Sequence, residues 1–196
     1  TDDESCFYSG ESLVFSASIT QAQSKFNRPP LRKGFLLSEG AGAVKFISDP
    51  SGFLTIWEDP EPLCSYTIGV DPSQGVGRDR AAVYVLNQSN GRLVARIHSQ
   101  LSPDDLAGEV AKLGYHYNKA WICCERNNHG HLVLFVLRQK NYPHLYRTRP
   151  LDAATGEESE EYGFNTTNQS KLVLTEKFKN ACRSGAVQIL DPDLIT

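Results

Sequence analysis

With 196 residues, 40% of them hydrophobic, the chain is long enough to bury one core, and its length favours one domain over two. No stretch approaches the roughly 18 consecutive apolar residues of a membrane span, and the N-terminus lacks the basic-then-apolar pattern of a signal peptide, so the expectation is a soluble, intracellular protein without a membrane partner. A formal net charge of -3 excludes nucleic-acid binding through overall electrostatics and leaves only local contacts.

The five cysteines form no even disulfide set, and no zinc-type CxxC spacing occurs. Cys123 and Cys124, adjacent in an apolar run, read as reduced, buried thiols. Charge is segregated: residues 126–149 carry Arg126, Arg138, Lys140, Arg147 and Arg149 without an acid. Residues 12–38 likewise carry Lys25, Arg28, Arg32 and Lys33 alone, while Asp152, Glu157, Glu158, Glu160 and Glu161 crowd one short stretch. Arg138, Lys140, Arg147 and Arg149 are therefore candidates for contacting nucleic acid, with an ordinary solvated face as the alternative. The acidic stretch reads as a flexible loop.

Residues 1–50 mix Ser, Gly and Pro with scattered apolar residues and read as a leader or linker with one short helix near Ile19 to Phe26. From Gly52 the pattern changes to FLTIW, SYTIGVD, AAVYVLN and RLVARIHSQ, runs rich in β-branched and aromatic residues bounded by Pro, Asp, Asn or Gly. NQSNG between the last two is a hairpin connection, which predicts an antiparallel meander. Ser102 then caps a helix that has Pro103 at its first position, Asp104 and Asp105 in its first turn, and Leu106, Val110, Leu113 and Tyr117 on one face.

AWICC, ending at Glu125, is a short strand followed by a helix through HLVLFVLRQK. That order implies a strand added in parallel. HLYRT is a further candidate strand, Asn168 or Ser170 caps a helix through KLVLTEKFKNACRS, Gly185 closes it, and VQIL is a last strand. The fold class is α/β: a mixed central sheet, an antiparallel three-strand meander plus parallel strands, flanked by helices.

Two acids stand out by position, because Asp71 ends the strand SYTIGV and Glu125 ends the strand AWICC. On adjacent parallel strands their carboxylates would converge at one rim of the sheet, where α/β folds collect ligands. Like charges held close raise one pKa unless a divalent cation neutralises them, and hard oxygen donors suit Mg²⁺ or Mn²⁺. Phosphodiester cleavage is the natural chemistry of such a pair. An acid at a strand end is commonly a turn residue, so neither carries this reading alone.

Their settings resemble a family. GVDPSQGVGRDRAAVYVLN is similar to the first acidic motif of the nuclease domain of tailed-bacteriophage large terminases: apolar strand, Asp71, glycine-containing loop, a second acid at Asp79, next strand. ICCERNNHGH resembles the second motif, an acid after a buried strand followed by Asn127 or Asn128 and Gly130. YGFNTTNQSK resembles a third signature, with Lys171 opening the next helix. The resemblance runs from about residue 50 to the end, which makes residues 51–196 a ribonuclease H-like nuclease domain lacking its C-terminal part.

The resemblance implies a ribonuclease H-like fold and an endonuclease that cuts concatemeric double-stranded phage DNA by two-metal hydrolysis with Mg²⁺ or Mn²⁺. It makes Asp71 and Glu125 catalytic metal ligands, Asp79 a further acid near the metal or else a surface ion-pair partner of its flanking arginines, and Lys171 a contact to phosphate or to the carboxylates or else a solvated residue of the helix's first turn. His129 and His131 flank Gly130, placed for phosphate or proton relay if they are not merely helix-terminal. It implies an ATPase motor, portal and small terminase subunit as partners, in the host cytoplasm. No GxxxxGK[ST] phosphate loop occurs, so the motor's chemistry lies outside these residues. The family's last acidic motif is expected beyond residue 196, and Asp191 and Asp193 read as caps rather than its replacement. Two other functions remain open: a ribonuclease H-like resolvase, transposase or exonuclease, and a non-catalytic docking domain of the packaging motor.

Overall fold

The computed structural model describes residues 15–40, 42–75, 79–149 and 159–195 of the chain. Helix α1 (Ala17–Ser24) lies where expected and is followed by a hairpin of β1 (Arg32–Gly40) and β2 (Ala43–Ser48). This hairpin corrects the reading of the first fifty residues as leader, because β1 pairs antiparallel with β3 (Leu54–Ile56) and so belongs to the central sheet. Its signal was weak for a physical reason: β1 buries only Gly34 and Leu36, so an edge hairpin solvated along most of its length shows no clean alternation. The part of the expected leader at residues 1–14 lies outside the described residues.

The meander is present as β4 (Tyr66–Asp71), β5 (Ala81–Asn87) and β6 (Arg92–Ser99), all antiparallel neighbours. In β5 the alternation is strict: Ala81, Val83 and Val85 are buried on one face, while Ala82, Tyr84 and Leu86 take the other. Helix α2 (Pro103–His116) starts where the Ser102 hydroxyl accepts the Asp105 N–H at 3.2 Å. Its stripe of Leu106, Val110 and Leu113 is fully buried, each side chain contributing about 1.5–3 kcal/mol.

Next, β7 (Trp121–Cys124) joins β4 in parallel with Val70 opposite Cys124, and α3 (Gly130–Gln139) packs beside α2. The strands β8 (Arg147–Thr148) and β9 (Glu161–Tyr162) make a small separate pair. Helix α4 (Asn168–Ser184) is capped by Thr167 rather than by Asn168 or Ser170, in a capping box where Thr167 and Ser170 satisfy each other's backbone N–H at 3.1 and 2.8 Å. Gly185, at φ 75°, closes it, and β10 (Gln188–Ile189) runs parallel beside β6. The sheet order is β2-β1-β3-β6-β5-β4-β7.

The two faces of this sheet are covered unequally. Helices α2 and α3 seal one face over the main core. On the other, α1 and α4 pack over the region of β5, β6 and β10. Buried Gln23 fastens them: its amide donates to the carbonyls of Cys182 and Val187 and accepts the Ile189 N–H. The β4–β7 end of that face stays open, since a methyl placed on Gly69 would meet nothing within 4 Å. Cys64, Cys123, Cys124 and Cys182 are free thiols, and no described helix is long and apolar enough to cross a membrane.

Candidate active site

Parallel pairing of β4 with β7 brings the two acids together. The register sets Val70 beside Cys124, and the Glu125 N–H donates to the Val70 carbonyl at 2.9 Å, so the ladder extends one step past β7. Asp71 thus ends β4 and Glu125 follows β7 on the neighbouring strand, on the open face, with their carboxyl groups close enough to interact. Burial, and next the Glu125 carboxylate, push the Asp71 carboxyl above the ordinary range, while the Lys171 ammonium pulls the other way.

The turn after Glu125 is built to hold it there. Asn128 sits at φ 47°, a left-handed conformation that asparagine tolerates, and α3 then begins at Gly130. A Cβ at Gly130 would lie 1.7 Å from the Glu125 carbonyl oxygen, so glycine alone lets the helix start against the strand end. Asn127 supplies the lateral support, its amide donating to the Thr166 carbonyl at 2.7 Å and to Glu125 Oε1 at 3.3 Å. Gly163, at φ 81°, packs close to the Cys124 carbonyl and lets Phe164 pair beside Glu125.

The other candidate residues divide. Lys171, in the first turn of α4 and far downstream of both acids in the chain, is brought to the acid pair by α4. Asp79 lines a cleft of about 460 Å³ on the Asp71 side, with Ser73, Arg80 and His129. It does not complete a cluster, because the described residues contain no group of three His, Cys, Asp or Glu side chains placed to hold a metal. No ion pair joins Asp79 to Arg80 among the described residues, and Arg78 lies outside them. His131 is exposed on α3.

The basic stretch is split by the fold. Arg147 pairs with Glu160 at 2.8 Å, Arg149 with the same carboxylate at 3.8 Å, and Arg126 with Glu161. Arg138 and Arg147 both stack on the Tyr162 ring at 4.6 Å. Lys140 lies elsewhere, in a cleft with Asp104, Asp105 and Glu109. Part of the expected acidic loop is therefore ordered: Glu160 and Glu161 neutralise arginines, while residues 151–158 lie outside the described residues. Asp191 caps the 3₁₀ turn Pro192–Leu194, as read, and is also buried against Arg96 at 2.7 Å and Tyr84 at 3.0 Å.

Sequence reasoning missed Arg80, which enters the Asp71 cleft, and Arg126, which follows Glu125 directly. The adjacency of Arg126 to the acid was a usable signal; Arg80 had none, since only the loop's path brings it in. In Lys171→Ala the Asp71 carboxyl is expected to titrate at a higher pH than in wild type, because the cation lowering its pKa is gone. Carboxyl ¹³C chemical shifts followed against pH measure this, and an unchanged midpoint would separate Lys171 from the pair.

Comparison with known proteins agrees with this architecture. The family model described as "Terminase RNaseH-like domain" matches residues 68–196. No curated protein matches the chain. Among solved structures, the large terminase nuclease of thermophilic phage G20c with bound zinc aligns with a TM-score of 0.57 at 14% identity, covering 89% of this chain and 81% of that one. The magnesium-bound form of the same nuclease gives a TM-score of 0.56 at 16% identity over 83% and 76% of the two chains. The large terminase nuclease domain of Thermus phage P74-26 gives 0.56 at 14% identity over 88% and 72%. The mixed sheet flanked by four helices is thus the ribonuclease H-like fold of terminase nucleases, and the chain belongs to the family of terminase RNaseH-like domains.

Proposed function

We propose that the chain is a divalent-metal-dependent endonuclease domain that cuts concatemeric double-stranded DNA in a phage packaging terminase. The observation that carries this is the meeting of Asp71 and Glu125 at one rim of the sheet with a raised Asp71 pKa. Two carboxylates pressed together without a dedicated proton partner store repulsion that a divalent cation relieves, which is the signature of a hard-ion site rather than of a structural ion pair. The residues fit Mg²⁺ or Mn²⁺: oxygen donors only, an open cleft for water and phosphate, and no thiolate or imidazole in the pair. Related folds solved with zinc and magnesium support a divalent ion here.

Each residue then has a task. Asp71 and Glu125 hold the ion, and Asn127 fixes the Glu125 carboxylate through its amide. Lys171 offsets the local negative charge and faces a phosphate approaching the pair. Arg80 and His129, in the cleft on the Asp71 side, are placed for a neighbouring phosphate. Asp71 and Glu125 would hold a divalent ion at this rim, and such an ion, when bound, would supply the chemistry of lowering the pKa of a water and offsetting charge on the leaving oxygen. Asp79 lines the cleft on the Asp71 side. In this reading Arg138, Arg147 and Arg149 contact the duplex backbone, while Lys140, in a separate cleft with Asp104, Asp105 and Glu109, does not. The ATPase motor, portal and small terminase subunit are the partners this assigns, in the host cytoplasm.

The test is direct. With Mn²⁺ the protein is expected to nick supercoiled plasmid DNA without strong sequence preference, and a chelator is expected to stop it. The same ion is expected to raise the melting temperature. If no divalent ion changes either cutting or melting, the metal reading falls.

A further inference from the structure

The rings beside the acid pair have no part in the chemistry just described. Ile122 and Cys124 are fully buried under α3, so Trp121, Cys123 and Glu125 alternate onto the open face of β7. The segment after Pro143 runs alongside: Leu145 bridges Ile122 in parallel and is buried, which turns His144 and Tyr146 to the same open side. Phe164 bridges Glu125 in the same sense and lines one cleft with Cys123, Asp71 and Glu125. The result is a strip of rings stepping toward the acids, successive rows roughly 6.5–7 Å apart.

These rings are exposed where a folded chain would ordinarily bury them. Trp121 is 49% exposed and Tyr146 40%. Trp121 lies flat on His144, with centroids 5.0 Å apart and planes within 16°. Beside them Gly69 leaves open space above β4. A contiguous apolar surface of this kind marks a site of interaction.

Charge selects the occupant. Arg126, Arg147 and Arg149 line the same cleft, about 580 Å³, as Tyr146 and Phe164. Glu160 and Glu161 pair with these arginines, and among the described residues two carboxylates stand against three guanidiniums. Flat rings interleaved with arginines suit a ligand that presents π-faces and phosphates in regular succession, which is an unpaired polynucleotide. A duplex hides its base faces and would meet only the charged rim.

We propose that Trp121, Tyr146 and Phe164 form a stacking platform for unpaired bases of a DNA strand leading to the acid pair, with Arg126, Arg147 and Arg149 holding its phosphates. The direction of that strand rests on the nuclease reading; the binding itself does not. Such a platform makes a locally opened or frayed strand a better ligand than closed duplex.

The two tryptophans give the readout, because Trp57 is 6% exposed and only Trp121 can stack on a ligand. Titrating the metal-free 196-residue protein with oligo(dT) in chelator is expected to quench its tryptophan emission, and Trp121→Ala is expected to remove that quenching. By fluorescence anisotropy, Trp121→Ala and Tyr146→Ala are each expected to bind the oligonucleotide roughly tenfold more weakly than wild type. Both platform residues are exposed, and unchanged thermal melting verifies that the variants fold. Absence of quenching in wild type, unchanged affinity in both platform variants, or tighter binding of a blunt duplex of equal length would overturn the proposal. If the platform variants lose binding while Mn²⁺ never elicits cutting, the platform stands and the nuclease reading fails; if cutting occurs and the variants bind normally, the reverse holds.

Discussion

Asp71→Asn is expected to abolish metal-stimulated DNA cutting and, at neutral pH without metal, to raise the melting temperature. The activity loss should exceed about 100-fold, the upper cost ordinarily seen for removing a partner one shell further from a metal. The stability gain follows from linkage. Burial and Glu125 raise the Asp71 pKa above its unfolded value, so the folded state binds that proton more tightly than the unfolded chain does. Its favourable contribution is present in full below the unfolded value near 3.8 and is lost as pH rises through the folded one. At pH 7 the ionised side chain therefore costs stability, and neutral asparagine removes the cost. Because the carboxylate stands at a solvent-facing rim, the gain is modest, roughly 2 °C. Calorimetry at pH 7 checks the sign, and addition of Mn²⁺ should reverse the order by stabilising only the wild type. A lower melting temperature for Asp71→Asn would mean that the two carboxylates do not repel in the folded protein.

Gly130→Ala is expected to cost at least about 3 kcal/mol and to disable the site at the same time. The new methyl would fall 1.7 Å from the Glu125 carbonyl oxygen and 2.7 Å from its carbon. Both are backbone atoms in a strand-to-helix turn and cannot swing aside, so α3 must back away and take the Glu125 support with it. Gly108→Ala is the control. Gly108 lies inside α2 with nothing within 4 Å of an added Cβ, so alanine there should stabilise by about 0.5–1 kcal/mol through helix propensity. Urea denaturation of the two variants, with m-values compared, measures both effects. Equal stability of Gly130→Ala and wild type would show that the turn after Glu125 is not as tight as the fold requires.

Much of the fold was written in local pattern. The strict alternation of AAVYVLN, the Ser102 cap with Pro103 behind it, the apolar stripe of α2 and the left-handed Gly185 are consequences of period, capping and backbone freedom that neighbouring residues impose on one another. The positions of Asp71 and Glu125 at strand ends were legible for the same reason, and their motifs placed the chain in its family. The cap of α4 was misplaced by one or three residues because Thr167, Asn168 and Ser170 are all competent cappers, and only the reciprocal bond between Thr167 and Ser170 decides among them.

By itself, then, the amino-acid sequence determined most of the segments after residue 50 that become strands and helices and which acids end them, because periodicity and capping act over a few residues. Tertiary structure alone decided the rest. It drew the hairpin at residues 32–48 into the sheet, carried Lys171 to the acids and Lys140 away from them, set Glu160 and Glu161 on the arginines, and left one end of the sheet uncovered with its rings exposed. Those outcomes depend on which strand edges pair and which faces a helix covers, and such contacts between residues far apart in the chain leave no local mark.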